Sequence, residues 1–69
     1  MSAIGENIRS IRREQKLTQH ALAMRVGVAP QAVGKWERGE SEPDISLLLP
    51  IAKALNVTAE TLFGLENRR

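Results

Sequence analysis

Apolar residues recur along this chain with a helical period, and turn-forming residues cut the pattern into short lengths. Ile4, Ile8 and Ile11 fall at i, i+4 and i+7, so a helix over about residues 4–15 carries one apolar stripe, with Arg9, Arg13 and Glu14 on its other side. Leu17-Thr18 then offers a hydrophobic residue followed by a capping hydroxyl, which starts a second helix at Gln19. That helix is predicted to reach about Val26, to bury Leu22, Ala23 and Val26, and to stop at Gly27, a residue that enters the left-handed region without steric cost. Val28-Ala29 completes the turn. Pro30 suits the first position of a third helix, where its missing N–H would have had no partner, and this helix is predicted to run to Arg38 and end at Gly39.

Residues 40–44 read as an exposed loop held by Pro43. Leu47, Leu48, Ile51, Ala52 and Leu55 describe a fourth helix over about residues 46–55, with Asp44 or Ser46 as its cap and Pro50 near enough to the start to be tolerated. Thr58 caps a short fifth helix through Phe63, with Glu60 in its first turn and Gly64 at its end. Residues 66–69 read as a frayed tail. The pattern is all-α: one domain over residues 1–69, with a helix-turn-helix at about residues 19–38.

Composition narrows the function classes. With no cysteine and a single His20, no thiolate site or metal cluster can be drawn, and a zinc finger is excluded. The longest apolar run, residues 47–52, contains Pro50 and falls well short of the roughly 20 residues of a membrane span. No membrane association is expected, and the start of the chain lacks the basic-then-apolar layout of a secretion signal, so a cytoplasmic protein is expected. Trp36 and Phe63 are the only aromatics, too few for a platform that stacks single-stranded bases. No nucleophile, base and orienting group can be assembled from one histidine and scattered serines, so neither an enzyme nor a cofactor is expected.

The net charge is only +2, but residues 1–38 carry seven basic against three acidic residues, a balance of +4. Residues 39–69 carry three against five, a balance of −2, so a polyanion would be met by the first half.

Between Gln19 and Arg38, Leu22, Val26, Val28, Val33 and Trp36 weld two helices to the core. Ala23 lets the backbones approach where they cross, and Gly27 makes the sharp turn. A rigid unit whose second helix projects outward fits the major groove of duplex DNA, where base edges are distinguishable. These residues, with Arg12, Leu17-Thr18-Gln19, Trp36-Glu37-Arg38-Gly39, Pro43, Ala52 to Val57 and Leu62-Phe63, resemble the Cro/repressor helix-turn-helix family, also called the Xre family.

The resemblance implies a compact five-helix, lambda-repressor-like domain that regulates transcription, usually as a repressor, by binding a two-fold, palindromic DNA operator as a homodimer. By matching position, Pro30, Gln31, Gly34 and Lys35 occupy the base-facing side of the third helix, Gln31 suited to adenine and Lys35 to guanine. Gln19, Arg38, Arg9 and Arg13 are the expected phosphate contacts, with His20 a further candidate. Arg12 and Glu37 are expected to form a partly buried ion pair pinning the first helix to the end of the third. Trp36 is expected in the core. Leu47, Leu48, Leu49, Leu62, Phe63 and Leu65 exceed the needs of one small core and are candidates for a two-fold patch.

Three features depart from the family pattern. Ala29 stands where a capping hydroxyl is common, Gly34 replaces a polar residue, and the loop after Gly39 is acidic at Glu40, Glu42 and Asp44. Two other readings compete with a plain regulator. One is an antitoxin with a toxin partner, which the few residues after Gly64 disfavour; the other is a protein-interaction module, which Gln31 and Lys35 disfavour.

Overall fold

The apolar stripe of the first segment sets the orientation of everything that follows. The computed structural model describes residues 3–64, in which helix α1 spans Ala3–Glu14 and buries Ile4, Ile8 and Ile11. It ends through Lys16 at φ +59°, with the Leu17 N–H returning to Arg12 O at 3.1 Å. Thr18 Oγ1 then accepts the Ala21 N–H at 2.9 Å and opens α2, Gln19–Val26. The cap satisfies one of the N–H groups that the first helical turn leaves without a partner.

Gly27 closes α2 at φ +93°, and its N–H reaches Ala23 O at 2.8 Å. An L side chain is strained at that angle, so glycine sets the tightness of the turn. Helix α3, Pro30–Arg38, follows with Pro30 in its first turn and no side-chain hydrogen bond from Ala29 at the cap. It packs against both α2 and α1. At the second contact the backbones nearly touch: a Cβ on Gly5 would stand 1.9 Å from Trp36 O.

The core is aliphatic. Ile8, Leu22, Val33, Ile51, Leu55 and Leu62 are fully enclosed, with Ala23, Ala52 and Trp36 between them. Burying aliphatic side chains of this size contributes about 1.5–3 kcal/mol each, which is how so short a chain offsets its ordering entropy.

The fourth helix differs from its expected form. Asp44 is the cap, its Oδ2 accepting the Ser46 N–H at 3.1 Å, but it opens a 3-10 turn over Ile45–Leu47 before α4 begins at Leu48–Leu55. Proline explains the break. Pro50 has no N–H for the carbonyl of Ser46, and its ring crowds that group, so α-helical pairing cannot extend back through residue 46. The tighter turn uses Leu47 N–H to Asp44 O at 2.8 Å instead. Helix α5, Ala59–Phe63, is capped by Thr58, whose Oγ1 accepts the Thr61 N–H at 3.1 Å.

The apolar residues expected to form a two-fold patch divide. Leu62 belongs to the core, and Leu47 and Leu48 pack against it half-buried, so none of the three is a free surface group. Leu49 and Phe63 are exposed, and Ile45, not singled out from the sequence, is the most exposed of the large apolar side chains. Leu65 and the tail at residues 66–69 lie outside the described residues.

Candidate nucleic-acid interface

Helix α3 is anchored along one side and open along the other. Val33, Gly34, Trp36 and Glu37 are buried, whereas Gln31, Lys35 and Arg38 are exposed. The exposed three fall at i, i+4 and i+7 and therefore share one face. Pro30 lies half-buried at the helix start.

Gly34, expected on the base-facing side, is instead covered. A Cβ there would lie 3.0 Å from Arg38 Nη1 and 3.4 Å from Gln19 Oε1, so these two side chains close over the bare backbone. The reason is the close approach of α2, whose first residue sits directly across from the middle of α3. Gln19 and Arg38, both expected phosphate contacts, are thereby brought together above Gly34.

Beneath them runs a polar network. Arg12 Nε donates to Glu37 Oε2 at 2.6 Å and Arg12 Nη2 to Glu37 Oε1 at 3.0 Å, a two-pronged pair whose side chains are only 10% and 3% exposed. Arg12 Nη1 also donates to Leu17 O at 2.7 Å, and Gln19 Nε2 donates to Glu37 Oε1 at 3.0 Å. The network thus fixes the end of α1, the entry to α2 and the last turn of α3 relative to one another. Burial alone would raise the Glu37 pKa. Hydrogen bonds from Arg12 and Gln19, with the charges of Arg12 and Arg9, outweigh it and hold the carboxyl below its ordinary value.

Arg9, His20 and Arg13 are exposed, Arg9 near enough for its charge to act on Glu37. His20 is the second residue of α2, and Arg13 stands in the last turn of α1. Among the described residues, no cluster of three or more His, Cys, Asp and Glu could hold a metal ion, and no helix is long and apolar enough to cross a membrane.

Sequence reasoning missed the partner of Arg38. Its Nε donates to Glu40 Oε2 at 2.7 Å, across the glycine that ends the helix. The acidic character of this loop was the only available signal, since a spacing of two residues follows no helical pairing rule. It also missed three side-chain ties that brace the scaffold: Asn7 to Leu62 O, Gln15 to Leu55 O, and Arg25 to Ala54 O.

The helix-turn-helix family model matches residues 8–62. The chain belongs to the helix-turn-helix family. Among curated relatives, it is 42% identical over 59 residues to Repressor protein C2 of Salmonella phage P22, covering 86% of this chain and 27% of that protein. It is 39% identical over 67 residues to the HTH-type transcriptional regulator DicA of Escherichia coli K12, covering 96% of this chain and 50% of that one. The chain therefore spans half or less of the length of these two proteins. The fold superposes with a TM-score of 0.85 and 38% identity on the P22 c2 repressor solved in complex with a synthetic operator, covering 96% of this chain and all of that one. This helix-turn-helix is accordingly the lambda-repressor-like arrangement expected from the sequence, with five α-helices and, among the described residues, no strand.

Proposed function

We propose that the chain is a sequence-specific, double-stranded DNA-binding regulator of transcription, acting as a repressor, that inserts α3 into the major groove of its operator. The observation that carries this is the open face of α3. Gln31, Lys35 and Arg38 stand on one side of a helix whose other side is locked to α1 and α2. A rigid helix of this kind holds its side chains in register with base edges without a backbone ordering cost during binding. The similar P22 c2 repressor, solved in complex with a synthetic operator, supports a DNA-binding reading.

Gln31 and Lys35 are the base readers, Gln31 for adenine N6 and N7 and Lys35 for guanine O6 and N7, with Pro30 alongside at the helix start. Arg38, Gln19, Arg9, Arg13 and His20 serve the phosphates, which fix register without reading sequence. Gly34 contributes no contact of its own, being covered by Gln19 and Arg38. Two copies reading a palindromic site complete the proposal, and Ile45, Leu49 and Phe63 are exposed apolar groups of the C-terminal half that could serve self-association.

Selection of bound sites from random duplex DNA tests the reading. A palindromic consensus with half-sites about 34 Å apart is the expected result, with affinity falling steeply as salt is added. Equal binding to every duplex would contradict base readout, and a single half-site bound by one copy would contradict the dimer.

A further inference from the structure

The guanidinium of Arg38 is already engaged by its own chain. Arg38 Nε donates to Glu40 Oε2 at 2.7 Å and Nη2 to Glu40 Oε1 at 3.3 Å, with the two side chains 57% and 53% exposed. The third nitrogen, Nη1, lies over Gly34, in the space that a Cβ would restrict. This leaves an exposed, two-pronged carboxylate clamp at the end of the open face. A carboxylate and a phosphate offer a guanidinium the same geometry, a pair of anionic oxygens matched to two parallel N–H groups. Both cannot hold Arg38 through the same N–H groups.

We propose that Glu40 is an intramolecular competitor for DNA phosphate, which lowers the chain's affinity for duplex by occupying Arg38 in the free protein. The inference rests on the DNA-binding reading above and adds to it a residue that sets affinity. Glu40 remains charged under ordinary conditions, because the hydrogen bond from Arg38 and the positive charges of Arg38 and Lys35 hold its carboxyl below the usual range. Docking must exchange carboxylate for phosphate, and the displaced carboxylate then stands beside a polyanion. Arg38 consequently adds less to affinity than an unpaired arginine would. It also adds less to the salt dependence, because the carboxylate left beside the phosphates retains part of the cation that the contact would otherwise release from the DNA.

The test is a double-mutant cycle in the whole chain, with Glu40→Gln, Arg38→Gln and the pair, measured on the selected duplex and on a scrambled one over a salt series. Glu40→Gln is expected to tighten binding to both duplexes about two- to fivefold, the range of an exposed charge pair. It should also steepen the slope of log affinity against log salt by a fraction of the roughly one unit that a whole phosphate contact is worth. In the Arg38→Gln background the same change should give a clearly smaller gain, that of the relieved repulsion alone. An equal gain with and without Arg38 would mean that Glu40 merely repels DNA, and no gain at all would mean that the clamp does not compete; either overturns the proposal.

A second measurement needs no DNA. The Arg38 Nε–H resonance should exchange slowly with water and shift as Glu40 titrates, and both properties should vanish in Glu40→Gln. A resonance indifferent to that substitution overturns the competitor whatever the duplex results. If the wild-type chain binds no duplex while the resonance reports an intact clamp, the DNA-binding reading has failed and the competitor falls with it. If binding is present and the cycle shows no coupling, only the competitor has failed.

Discussion

Arg12 and Glu37 lie twenty-five residues apart in sequence and meet through two hydrogen bonds, Nε to Oε2 and Nη2 to Oε1, under a roof formed by Gln19. Removing one partner leaves the other charge buried without compensation, which costs roughly 3–5 kcal/mol, whereas an apolar pair of similar volume avoids that penalty. Arg12→Ala and Glu37→Ala should therefore each lower the melting temperature by well over ten degrees, at about 4–8 °C per kcal/mol for a domain of this size. Arg12→Met with Glu37→Leu should recover most of the loss. Thermal melts followed by circular dichroism would check this, and a double variant no better than the singles would contradict it.

The same pair gives the fold an acid-sensitive component. The Glu37 carboxyl lies below its ordinary value of 4.5 in the folded chain, so it takes up its proton more readily when the chain unfolds. A group depressed on folding stabilises fully above its unfolded value and loses that contribution as pH falls through its folded value. Urea midpoints should be level near neutral pH and decline below about 4.5. Glu37→Gln should be less stable at neutral pH but flatten this decline. Some slope will remain, because Glu40 and Asp44, held down by Arg38 and Ser46, lose their stabilising bonds over the same acid range.

Gly5 meets a backbone, not a flexible side chain. A Cβ there would fall 1.9 Å from Trp36 O, and no rotamer change relieves a clash with a carbonyl. Gly5→Ala should destabilise the domain by at least about 1–3 kcal/mol, the range for overpacking, despite the higher helix propensity of alanine. A variant as stable as wild type in urea would show that α1 can shift away from α3.

Ala29 has the extended backbone of a helix cap, φ −69° and ψ 145°, and provides no side-chain acceptor. Ala29→Ser should let a hydroxyl accept the Gln31 N–H, since Pro30 has none and the Ala32 N–H already reaches Ala29 O, and stabilise the domain by about 1 kcal/mol. The urea midpoint checks the gain, which should come without loss of DNA affinity.

On the open face, substitutions should separate readers from anchors. Lys35→Ala should relax preference at one base pair by about 1–3 kcal/mol, whereas Arg9→Ala should weaken all duplexes alike and reduce the salt slope by about one. Affinities measured on single-base variants of the selected site would separate the two behaviours.

Signals carried by neighbouring residues were legible in the sequence. Thr18 and Thr58 mark helix starts, Gly27, Gly39 and Gly64 mark ends, and Pro30 marks the beginning of α3, because a cap or a left-handed residue acts on the turn beside it. Features that depend on which elements meet were not. Gly34 sits between Val33 and Lys35 on the helix, and only the proximity of Gln19 decides that it is covered. Gly5 gives no hint that Trp36 O lies against it, and Lys16 takes a left-handed conformation without the glycine that would announce it. Pro50 was expected to be tolerated near the start of the fourth helix, yet its effect reaches back four residues and changes the type of turn over Ile45–Leu47.

Helix α1 holds Leu62 O through Asn7 and Leu55 O through Gln15, closures spanning 55 and 40 residues. As the ribosome delivers the chain, α1 must wait for α4 and α5 before Gln15 and Asn7 meet these partners. The two helices that would face DNA emerge long before that moment, without the strut that stiffens them. A nascent chain halted after Arg38 should therefore be protease-sensitive and silent toward an operator, so the segment that reads and the segment that must be synthesised before reading differ in length.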